Sequence, residues 1–552
     1  MQRRELLISS IIVHAARHHG GAEIVSRRDD GRLDRTNYRA VEHRARRLGA
    51  VLRELGVRPG DRVGTLAMNS DRHLELYYAI SGIGAVCHTI NPRLSHADIA
   101  YIASDAEDGL ICVDPGFLPI IEAVAPALAT VLRGVVVMAD AVGIPRCILP
   151  PGMQLYCYET LLAGGADAPD WPVFGEHSAS ALCYTSGTTG RPKGVLFSHR
   201  STVLMAMMMN FADTLGLRAV DRVLPVVPMF HVNAWGIPYI APMAGAALIL
   251  PGRHLDPVTL LGLLNGERAT VSGGVPTVWL GVLAELRQSG QRFATLRRIL
   301  SGGAAVPRAL MAEYTQEGVH IHHAWGMTES SPVATWNAPL ASTAALDTDA
   351  ALDQQVTQGR TVYGVDVRAE AEDGTEAPWD GQTQGNLTFR GHWVASAYFR
   401  RPETSVGDDG WFPTGDVGRM DPDGFVVLTD RTKDLIKSGG EWISSIELEN
   451  IAAGHPDVAE AAAIAVPDVK WGERPLLIVV PRPGCAPTED ALRAYFMGKV
   501  PGWSVPDRVV VAEGLPHGAT GKVLKTELRR IYGATPGLLH PSGPGTLRPP
   551  VG

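Results

Sequence analysis

Apolar residues along this chain recur at two spacings, which predict two kinds of element. Residues 33–55 repeat them at the three- and four-residue intervals of an amphipathic helix. Shorter apolar runs bounded by turn residues predict buried strands, and stretches of helical length lie between them. The predicted strands are 62–68, 85–90, 109–113, 246–250, 270–273 and 296–300, and the helical stretches include 257–264 and 276–287. This alternation predicts an α/β fold in which helices cover largely parallel sheets.

The pattern changes in the second half of the chain. Residues 338–359 are polar and without a clear period, which predicts a surface excursion, and 362–427 has a more strand-like pattern. A boundary follows the predicted strand 424–428, where a charged turn leads to Gly439-Gly440 and to a helix that begins near Ser445. We therefore expect a large N-terminal region of several subdomains at 1–430, a linker at 431–434, a small α+β domain at 435–532 and a loose tail at 533–552.

Composition narrows the class of protein. With 552 residues, of which 45% are hydrophobic and 20% charged, the chain is typical of a soluble globular protein with at least two packed units. Its net charge of −8 and the lack of a dense Lys/Arg stripe argue against nucleic acid as the main ligand. The most apolar stretch, 223–250, contains Pro225, Pro228, Pro238 and Pro242, so no membrane span is expected. Residues 1–19 are expected to form an amphipathic surface helix.

Cysteine and histidine give little sign of a metal site. The six cysteines show no C-x-x-C pair, which argues against zinc and disulfides and favours free thiols in a reducing cytoplasm. His320, His322 and His323 lie on opposite faces of a predicted strand, so they are not expected to share a metal. Cys183 lies beside a glycine-rich segment, but no neighbouring base suggests a nucleophile.

That glycine-rich segment is the strongest chemical motif of the chain. Tyr184-Thr-Ser-Gly-Thr-Thr-Gly-Arg-Pro-Lys-Gly194 places four aliphatic hydroxyls among three glycines and one lysine. Glycines let backbone N–H groups converge on an anion, hydroxyls add donors, and lysine adds a mobile positive charge, so the motif predicts a phosphate site. The glycine spacing differs from G-x-x-x-x-G-K-[ST], which excludes an ordinary P-loop.

Three further clusters carry complementary chemistry. His323-Ala-Trp-Gly-Met-Thr-Glu329 joins an aromatic plane, suited to stacking on a base, to a hydroxyl and a carboxylate suited to an α-phosphate and Mg²⁺. Trp411-Phe-Pro-Thr-Gly-Asp416 offers a carboxylate on a turn that could grip ribose hydroxyls. Thr520-Gly-Lys522 places a lysine in a loop near the C-terminus. Each is common when it occurs alone.

In combination, these segments resemble the adenylate-forming superfamily over about residues 33–532, together with Ser301-Gly-Gly-Ala-Ala305 and Asp430-Arg-Thr-Lys433. Pro228-Met-Phe-His-Val-Asn-Ala-Trp235, Val275-Pro-Thr-Val-Trp279 and 434–445 are similar to the fatty acyl-CoA synthetase branch and to methylmercaptopropionate-CoA ligases. Many relatives have tyrosine at the position of Trp325, whereas tryptophan at this position also occurs in the methylmercaptopropionate-type ligases. The resemblance implies ATP, Mg²⁺ and coenzyme A as cofactors, a carboxylic acid as small-molecule substrate, and homodimerisation through the large region.

The resemblance also implies roles for individual residues in forming acyl-AMP and pyrophosphate from ATP and the acid. Lys522 bridges the acyl carboxylate and the α-phosphate, Thr328 contacts that phosphate, and Glu329 binds Mg²⁺ with Thr188. The β- and γ-phosphates are held by Thr185, Ser186, Gly187, Thr188, Thr189, Gly190 and Lys193. Gly303, Ala304, Ala305, Trp325 and Gly326 flank adenine, while Asp416 and Arg431 hold ribose. His231, Val232, Trp235 and Gly302 line the acyl pocket, with His231 also shifting between conformers and Trp235 as its gate.

In the second step the CoA thiol attacks acyl-AMP after the small domain rotates. The resemblance implies a hinge at Lys433, and a loop of Lys437, Ser438, Gly439 and Gly440 at the pantetheine channel, where residues without side chains suit a narrow bore. We expect an acid:CoA ligase for a medium or long acyl chain. The alternatives are a ligase for short, aryl or methylthio acids, an acyl-AMP ligase that loads a carrier protein, a phosphotransferase, and a silent nucleotide-binding homologue. The last would be expected to lack Lys522, Glu329 or Lys193.

Overall fold

A computed structural model describes residues 1–140, 144–165, 169–185, 191–342, 346, 348–401, 406, 409–439, 441–518 and 522–533. Its helices alternate with strands through the first 330 residues, as the apolar pattern predicts. The α-helices are Ser9–His18, Tyr38–Glu54, Asp71–Gly82, His96–Ala106, Leu118–Val124, Tyr158–Gly164, His199–Met209, Ile237–Ala244, Pro257–Gly266, Pro276–Ser289, Arg308–Gln316, Thr348–Gln355, Ser445–Ala453, Glu489–Phe496 and Lys525–Tyr532. Short 3₁₀ helices are Pro115–Phe117, Ala125–Leu128, Thr328–Ser330 and Gly502–Ser504.

A nine-stranded sheet carries much of the site described below. Its central six strands are parallel, and antiparallel strands flank them on both sides. In spatial order the strands are Arg360–Thr361, Thr335–Trp336, His320–Trp325, Arg298–Ser301, Val271–Gly274, Arg222–Pro225, Ala247–Leu250, Glu23–Arg27 and Leu33–Asn37.

A seven-stranded sheet packs beside it and is parallel except at its last pair. Its order is Gln154–Cys157, Gly134–Val137, Leu110–Val113, Arg62–Leu66, Val86–Thr89, Ala179–Thr185 and Lys193–Ser198. All four residues of Val86–Thr89, of Leu110–Val113 and of Gly134–Val137 are buried, as expected for strands covered on both faces. The α/β fold predicted from the sequence is therefore confirmed.

Two smaller sheets follow in the chain. A four-stranded antiparallel sheet has the order Val365–Glu370, Gly385–Gly391, Phe412–Met420 and Val426–Arg431. The fourth sheet contains Glu441–Ile443, Ile436–Ser438, Gly472–Pro481 and Val458–Asp468, with Arg508–Val511 paired in parallel to Gly472–Pro481. Two separate hydrophobic cores consist only of residues from Ile436 onward, so this part packs largely around its own sheet.

Three sequence expectations need correction or completion. Residues 33–37 form an edge strand, and the helix begins at Tyr38, where the Asn37 side chain accepts a hydrogen bond from the N–H of Ala40. Helix Ser9–His18 is amphipathic, as expected: Ile11, Ile12 and Ala15 pack in the main core, and the opposite face is exposed at His14 and Arg17. The excursion 338–359 contains the helix Thr348–Gln355. Apart from Gly533, the predicted tail lies outside the described residues, and no described helix is long and apolar enough to cross a membrane.

Candidate active site

Two neighbouring parallel strands, Arg298–Ser301 and His320–Trp325, bring the first group of candidate residues to one edge of the nine-stranded sheet. A Cβ on Gly302 would lie 2.7 Å from the carbonyl oxygen of Ala324, and one on Gly326 would overlap the carbonyl of Pro332. Gly303 has φ +79°, in the region that favours glycine. Gly302 therefore lets the backbone after the first strand pass close to the second strand, and Gly326 lets the backbone after the second strand pass close to Pro332. Gly303 and Ala304 are exposed here, and Ala305 is half-buried.

Trp325 and Asp416 are joined directly. The indole N–H of Trp325 donates to Asp416 Oδ2 at 2.8 Å. Asp416 faces Arg431 across paired strands, and Arg431 Nε lies 3.4 Å from Asp416 Oδ1. A tryptophan at this position thus orients the carboxylate that the sequence assigned to ribose, a contact for which the motif gave no signal.

Lys522 reaches this cluster from the C-terminal part of the chain. Its Cε lies 3.7 Å from the place that a Cβ on Gly303 would take, and a carbon of the Trp235 ring lies 3.9 Å from the same place. Desolvation, helped by the positive charge of Arg431, lowers the pKa of the ammonium to about 8, against the carboxylates of Asp416 and Glu329. A half-buried lysine whose ammonium is desolvated is suited to an anionic ligand.

Glu329 lies on the other side of the cluster, on the 3₁₀ helix Thr328–Ser330. It is buried, and burial raises its pKa, while Tyr398, Lys193 and Arg431 act in the opposite direction. The Tyr398 hydroxyl donates to Glu329 Oε1 at 2.7 Å, and Lys193 Nζ lies 4.7 Å from the centre of the Tyr398 ring. One tyrosine therefore contacts both the candidate metal ligand and the candidate phosphate lysine.

The segment that holds Tyr398 also bonds to the phosphate motif. The N–H of Ala395 donates to Glu329 O at 2.8 Å, and the N–H of Phe399 donates to Gly194 O at 2.7 Å. Sequence reasoning missed Tyr398, because it lies in a region without a motif and meets its partners only through the tertiary fold. Thr185 and Lys193 are paired on adjacent strands. Ser186, Gly187, Thr188, Thr189 and Gly190 lie outside the described residues.

The acyl-pocket candidates lie on a segment with unusual backbone geometry. Val232–Trp235 has positive φ throughout, and Val232 and Trp235 are buried. His231 precedes it, and burial, followed by the charge of Lys522, lowers the pKa of its imidazole to about 4. His231 is therefore neutral at pH 7 and lies close enough to Lys522 to sense its charge.

Two ion pairs of the C-terminal part lie near the predicted hinge. The carbonyl oxygen of Lys433 accepts from Arg529 at 3.3 Å, and Arg529 also pairs with Asp434 at 2.5 Å. Lys525 Nζ lies 2.7 Å from Glu449 and donates to Ser445 Oγ at 2.5 Å. Since Lys525 begins the helix that follows Lys522, this half-buried pair anchors the lysine loop to the rest of the C-terminal part.

Asp430 continues that network across the predicted hinge. Its carboxylate accepts the N–H of Ser445 at 2.6 Å and that of Arg431 at 2.7 Å, and its charge raises the pKa of Lys525. The sequence gave no signal for the roles of Lys525 and Asp430.

The described residues of the candidate CoA loop contact other residues of the C-terminal part and not this cluster. Lys437 Nζ lies 4.5 Å over the Trp442 ring, Ser438 Oγ accepts from Arg474 at 3.0 Å, and the N–H of Gly439 donates to Trp471 O at 2.8 Å. Gly440 lies outside the described residues.

The histidine and cysteine motifs form other kinds of contact. Strand His320–Trp325 buries alternate residues, so His323 points to the side opposite His320 and His322. Within the ranges that the structure describes, no three His, Cys, Asp or Glu side chains are grouped to hold a metal. Burial raises the pKa of the Cys183 thiol to about 12, which makes it a poor nucleophile.

Comparison with protein families decides the superfamily. The model of the AMP-binding enzyme family matches residues 12–399, and that of the AMP-binding enzyme C-terminal domain matches 447–522. The chain belongs to the AMP-binding enzyme family. This confirms the resemblance to the adenylate-forming superfamily, whose acyl-CoA ligases use ATP and CoA.

Individual relatives of this AMP-binding enzyme cover almost its whole length. It is 50% identical to a 3-methylmercaptopropionyl-CoA ligase of Ruegeria pomeroyi, over 96% of this chain and 98% of that protein. It is 48% identical to a medium-chain-fatty-acid–CoA ligase of Ectopseudomonas oleovorans, over 97% of each. The fold is similar to that of an anthranilate CoA ligase in complex with anthranoyl-AMP, with TM-score 0.84, 25% identity and coverage of 95% of this chain and 96% of that one.

Proposed function

We propose that this AMP-binding enzyme is an ATP-dependent acid:CoA ligase. A carboxylic acid and ATP give acyl-AMP and pyrophosphate, and acyl-AMP and CoA then give acyl-CoA and AMP. The observation that supports this most is the half-buried Lys522 side chain beside Gly303, close enough to Asp416 and Glu329 for their charges to act on its pKa. The medium- or long-chain acid of the sequence analysis remains our first substrate class.

In the proposed first step, the residues position two anions and stabilise charge, and none of them becomes covalently modified. The carboxylate oxygen attacks the α-phosphorus, and the bond to the pyrophosphate oxygen breaks. Lys522 would hold the carboxylate and an α-phosphate oxygen together, and Thr328 would donate to that phosphate. Preorganised donors in an enclosed site need little reorganisation as charge develops, which is the usual main source of rate enhancement.

The nucleotide would be held on either side of these groups. Trp325 and residues 303–305 would flank adenine, and Asp416, oriented by the Trp325 N–H at 2.8 Å, would accept from ribose with Arg431 beside it. The outer phosphates would contact Lys193, Thr185 and residues 186–190. Mg²⁺ fits this site, because Glu329 offers a buried hard carboxylate that little positive charge balances. Glu329 and Thr188 would hold the ion, which when bound would neutralise polyphosphate charge.

The proposed second step requires the C-terminal domain to rotate. We propose a large region at 1–430, a hinge at 431–434 centred on Lys433, and a mobile domain at 435–532. Two independent cores after Ile436 support this division. Rotation would withdraw Lys522 and bring Lys437 and residues 438–440 to the channel through which the CoA thiolate attacks the acyl carbon, with AMP as leaving group.

A ligase for a short methylthio acid is the second candidate. The Trp235 ring lies next to Lys522 and Gly303, so it closes the space beside the reacting carboxylate and favours a short acid. The 50% identity to a 3-methylmercaptopropionyl-CoA ligase points the same way. We further propose a cytoplasmic location, supported by six cysteines that are all free, and a homodimer, on the ground of the superfamily resemblance.

A substrate panel tests the proposal. The purified protein is incubated with ATP, Mg²⁺ and acids from short to long chain, including aryl and methylthio acids, with and without CoA. AMP, pyrophosphate and thioester are measured. CoA-dependent thioester with equimolar AMP is expected, and the best acid identifies the substrate class. Acyl-AMP that never becomes thioester would indicate a carrier-protein acceptor, while ADP formation or no turnover with any acid would contradict the proposed function.

A further inference from the structure

The backbone between His231 and Gly236 makes one turn of left-handed helix. At the four residues of Val232–Trp235, φ is +37°, +55°, +49° and +53°. The turn is closed by hydrogen bonds from the N–H of Ala234 to His231 O at 3.1 Å and from the N–H of Gly236 to Asn233 O at 2.9 Å. Residues with a Cβ rarely adopt this region, and usually do so singly. Four in succession must therefore be held by their surroundings.

Cys183 and Asn233 supply the contacts that hold the turn. The Cys183 thiol lies 3.5 Å from Asn233 Oδ1, to which it donates. Burial raises the pKa of the Cys183 thiol, and the nearby backbone N–H groups of Val232 and Asn233 act in the opposite direction, so the sulfur lies close to the start of the turn. The Tyr77 hydroxyl, which donates to the carbonyl oxygen of Met229, also lies 3.2 Å from Asn233 Oδ1. Cys183, Asn233 and Tyr77 are all buried, where such contacts are costly to lose.

The turn connects two parts of the candidate active site. At one end Trp235 reaches the space beside Gly303 and Lys522. At the other, Cys183 is two residues before Thr185 on the strand that leads into the phosphate motif, and its sulfur lies 3.3 Å from Thr89 Oγ1 on the neighbouring strand. A well-supported strand therefore fixes the start of the turn.

We propose that Cys183 and Asn233 are positioning residues that hold Val232–Trp235 in its left-handed form and thereby fix Trp235 as the wall that limits the length of the accepted acid. The inference rests on the proposed ligase function. Without these contacts the turn can relax toward ordinary backbone angles, the Trp235 ring leaves Gly303, and the pocket lengthens.

Four variants and a matched control separate this role from general packing. Cys183→Ala removes the sulfur, and Cys183→Ser keeps a smaller donor and acceptor. Asn233→Gly keeps the freedom to adopt positive φ, whereas Asn233→Ala loses both that freedom and the side-chain contacts. Cys112→Ala is the control, because Cys112 is an equally buried free thiol on the same sheet.

The first readout is acid-dependent pyrophosphate release across a series of straight-chain acids. Cys183→Ala and Asn233→Ala should raise the ratio of kcat/KM for the longest accepted acid over the shortest by about tenfold, the scale of discrimination by pocket size. Cys183→Ser and Asn233→Gly should give smaller shifts, and Cys112→Ala none. Unchanged ratios in all four variants would overturn the inference.

The second readout does not need activity, so the two proposals can fail separately. Hydrogen exchange is followed on a peptide spanning 229–237 in the ligand-free proteins. Faster exchange in Cys183→Ala than in Cys112→Ala supports the inference, and equal exchange contradicts it. A wild-type protein that turns over no acid would refute the ligase function, while the exchange data would still decide whether Cys183 holds the turn.

Discussion

Replacing Lys522 by alanine should slow the first half-reaction and spare the second. The lowered pKa, about 8 against 10.5, means that the empty site disfavours the ammonium by about 3 kcal/mol. The bound carboxylate and α-phosphate would relieve that penalty, most strongly in the transition state, where negative charge builds up on the α-phosphate oxygens. Loss of one such preorganised contact typically costs about 3 to 4 kcal/mol, so acyl-AMP formation should fall about 10²- to 10³-fold.

The assay measures the two half-reactions separately. Single-turnover pyrophosphate release reports the first step, and conversion of synthetic acyl-AMP by CoA reports the second. Lys499→Ala is the matched control, because Lys499 is exposed and lies over the Tyr495 ring. The Lys522 variant should also be as stable as wild type or more so, since it removes a desolvated charge. Equal losses in both half-reactions, or a loss in neither, would refute the assignment.

The same lysine predicts the alkaline limb of the pH profile. In the free enzyme Lys522 loses its proton near pH 8, so kcat/KM for acyl-AMP formation should fall as pH rises through that value. The profile of kcat should shift to higher pH, because bound polyphosphate favours the ammonium. In Lys522→Arg the side chain stays charged at high pH, so the residual activity of this variant should lack the alkaline limb. An unchanged limb in this variant would exclude Lys522 as its source.

Three further predictions concern the residues around the site and in the core. Tyr398→Phe removes the 2.7 Å bond to Glu329, and should raise the Mg²⁺ concentration for half-maximal activity about tenfold, in line with a hydrogen bond to a charged group; an unchanged Mg²⁺ titration would contradict it. Lys525→Met leaves the half-buried Glu449 without its partner at 2.7 Å and should cost about 1 to 3 kcal/mol of stability in denaturant unfolding, between the values for exposed and buried pairs. Glu449→Gln should restore part of this loss in the double variant, and an additive double variant would argue against a coupled pair. Burial lowers the pKa of His73 to about 4, so between pH 6.5 and 4 the unfolded chain binds a proton that the folded one does not. When the pH is lowered from 6.5 to 4, the free energy of unfolding should therefore fall by about 3 kcal/mol more in wild type than in His73→Gln. Equal slopes of stability against pH in the two proteins would exclude His73.

The local pattern of apolar residues predicts those elements that are equally buried on both faces. The strands Val86–Thr89 and Leu110–Val113 are buried on both faces, so an apolar run of the right length sufficed. Residues 33–37 were assigned to the following helix because their apolar positions continue its spacing, whereas pairing with Glu23–Arg27 makes them a strand. Such pairing is a long-range effect that periodicity does not contain.

The residues of the candidate site also form two groups, those that the sequence predicts and those that only the structure reveals. Trp325, Asp416 and Lys522 lie in motifs and could be proposed from the sequence, although only the structure joins the Trp325 N–H to Asp416. Tyr398 and Lys525 could not, because their roles depend on Glu329 and Glu449, which are distant in the chain. The left-handed turn was equally hidden, since no glycine occurs in Val232–Trp235 to signal positive φ.

The central claim is that a carboxylate oxygen attacks the α-phosphorus of ATP, and isotope transfer tests it most directly. The best acid from the panel is labelled with ¹⁸O in its carboxylate and converted with ATP and CoA. Mass spectrometry of the products should find one ¹⁸O in AMP for each thioester formed and none in pyrophosphate. Label in inorganic phosphate beside ADP, or thioester formed with unlabelled AMP, would contradict an acyl-AMP intermediate.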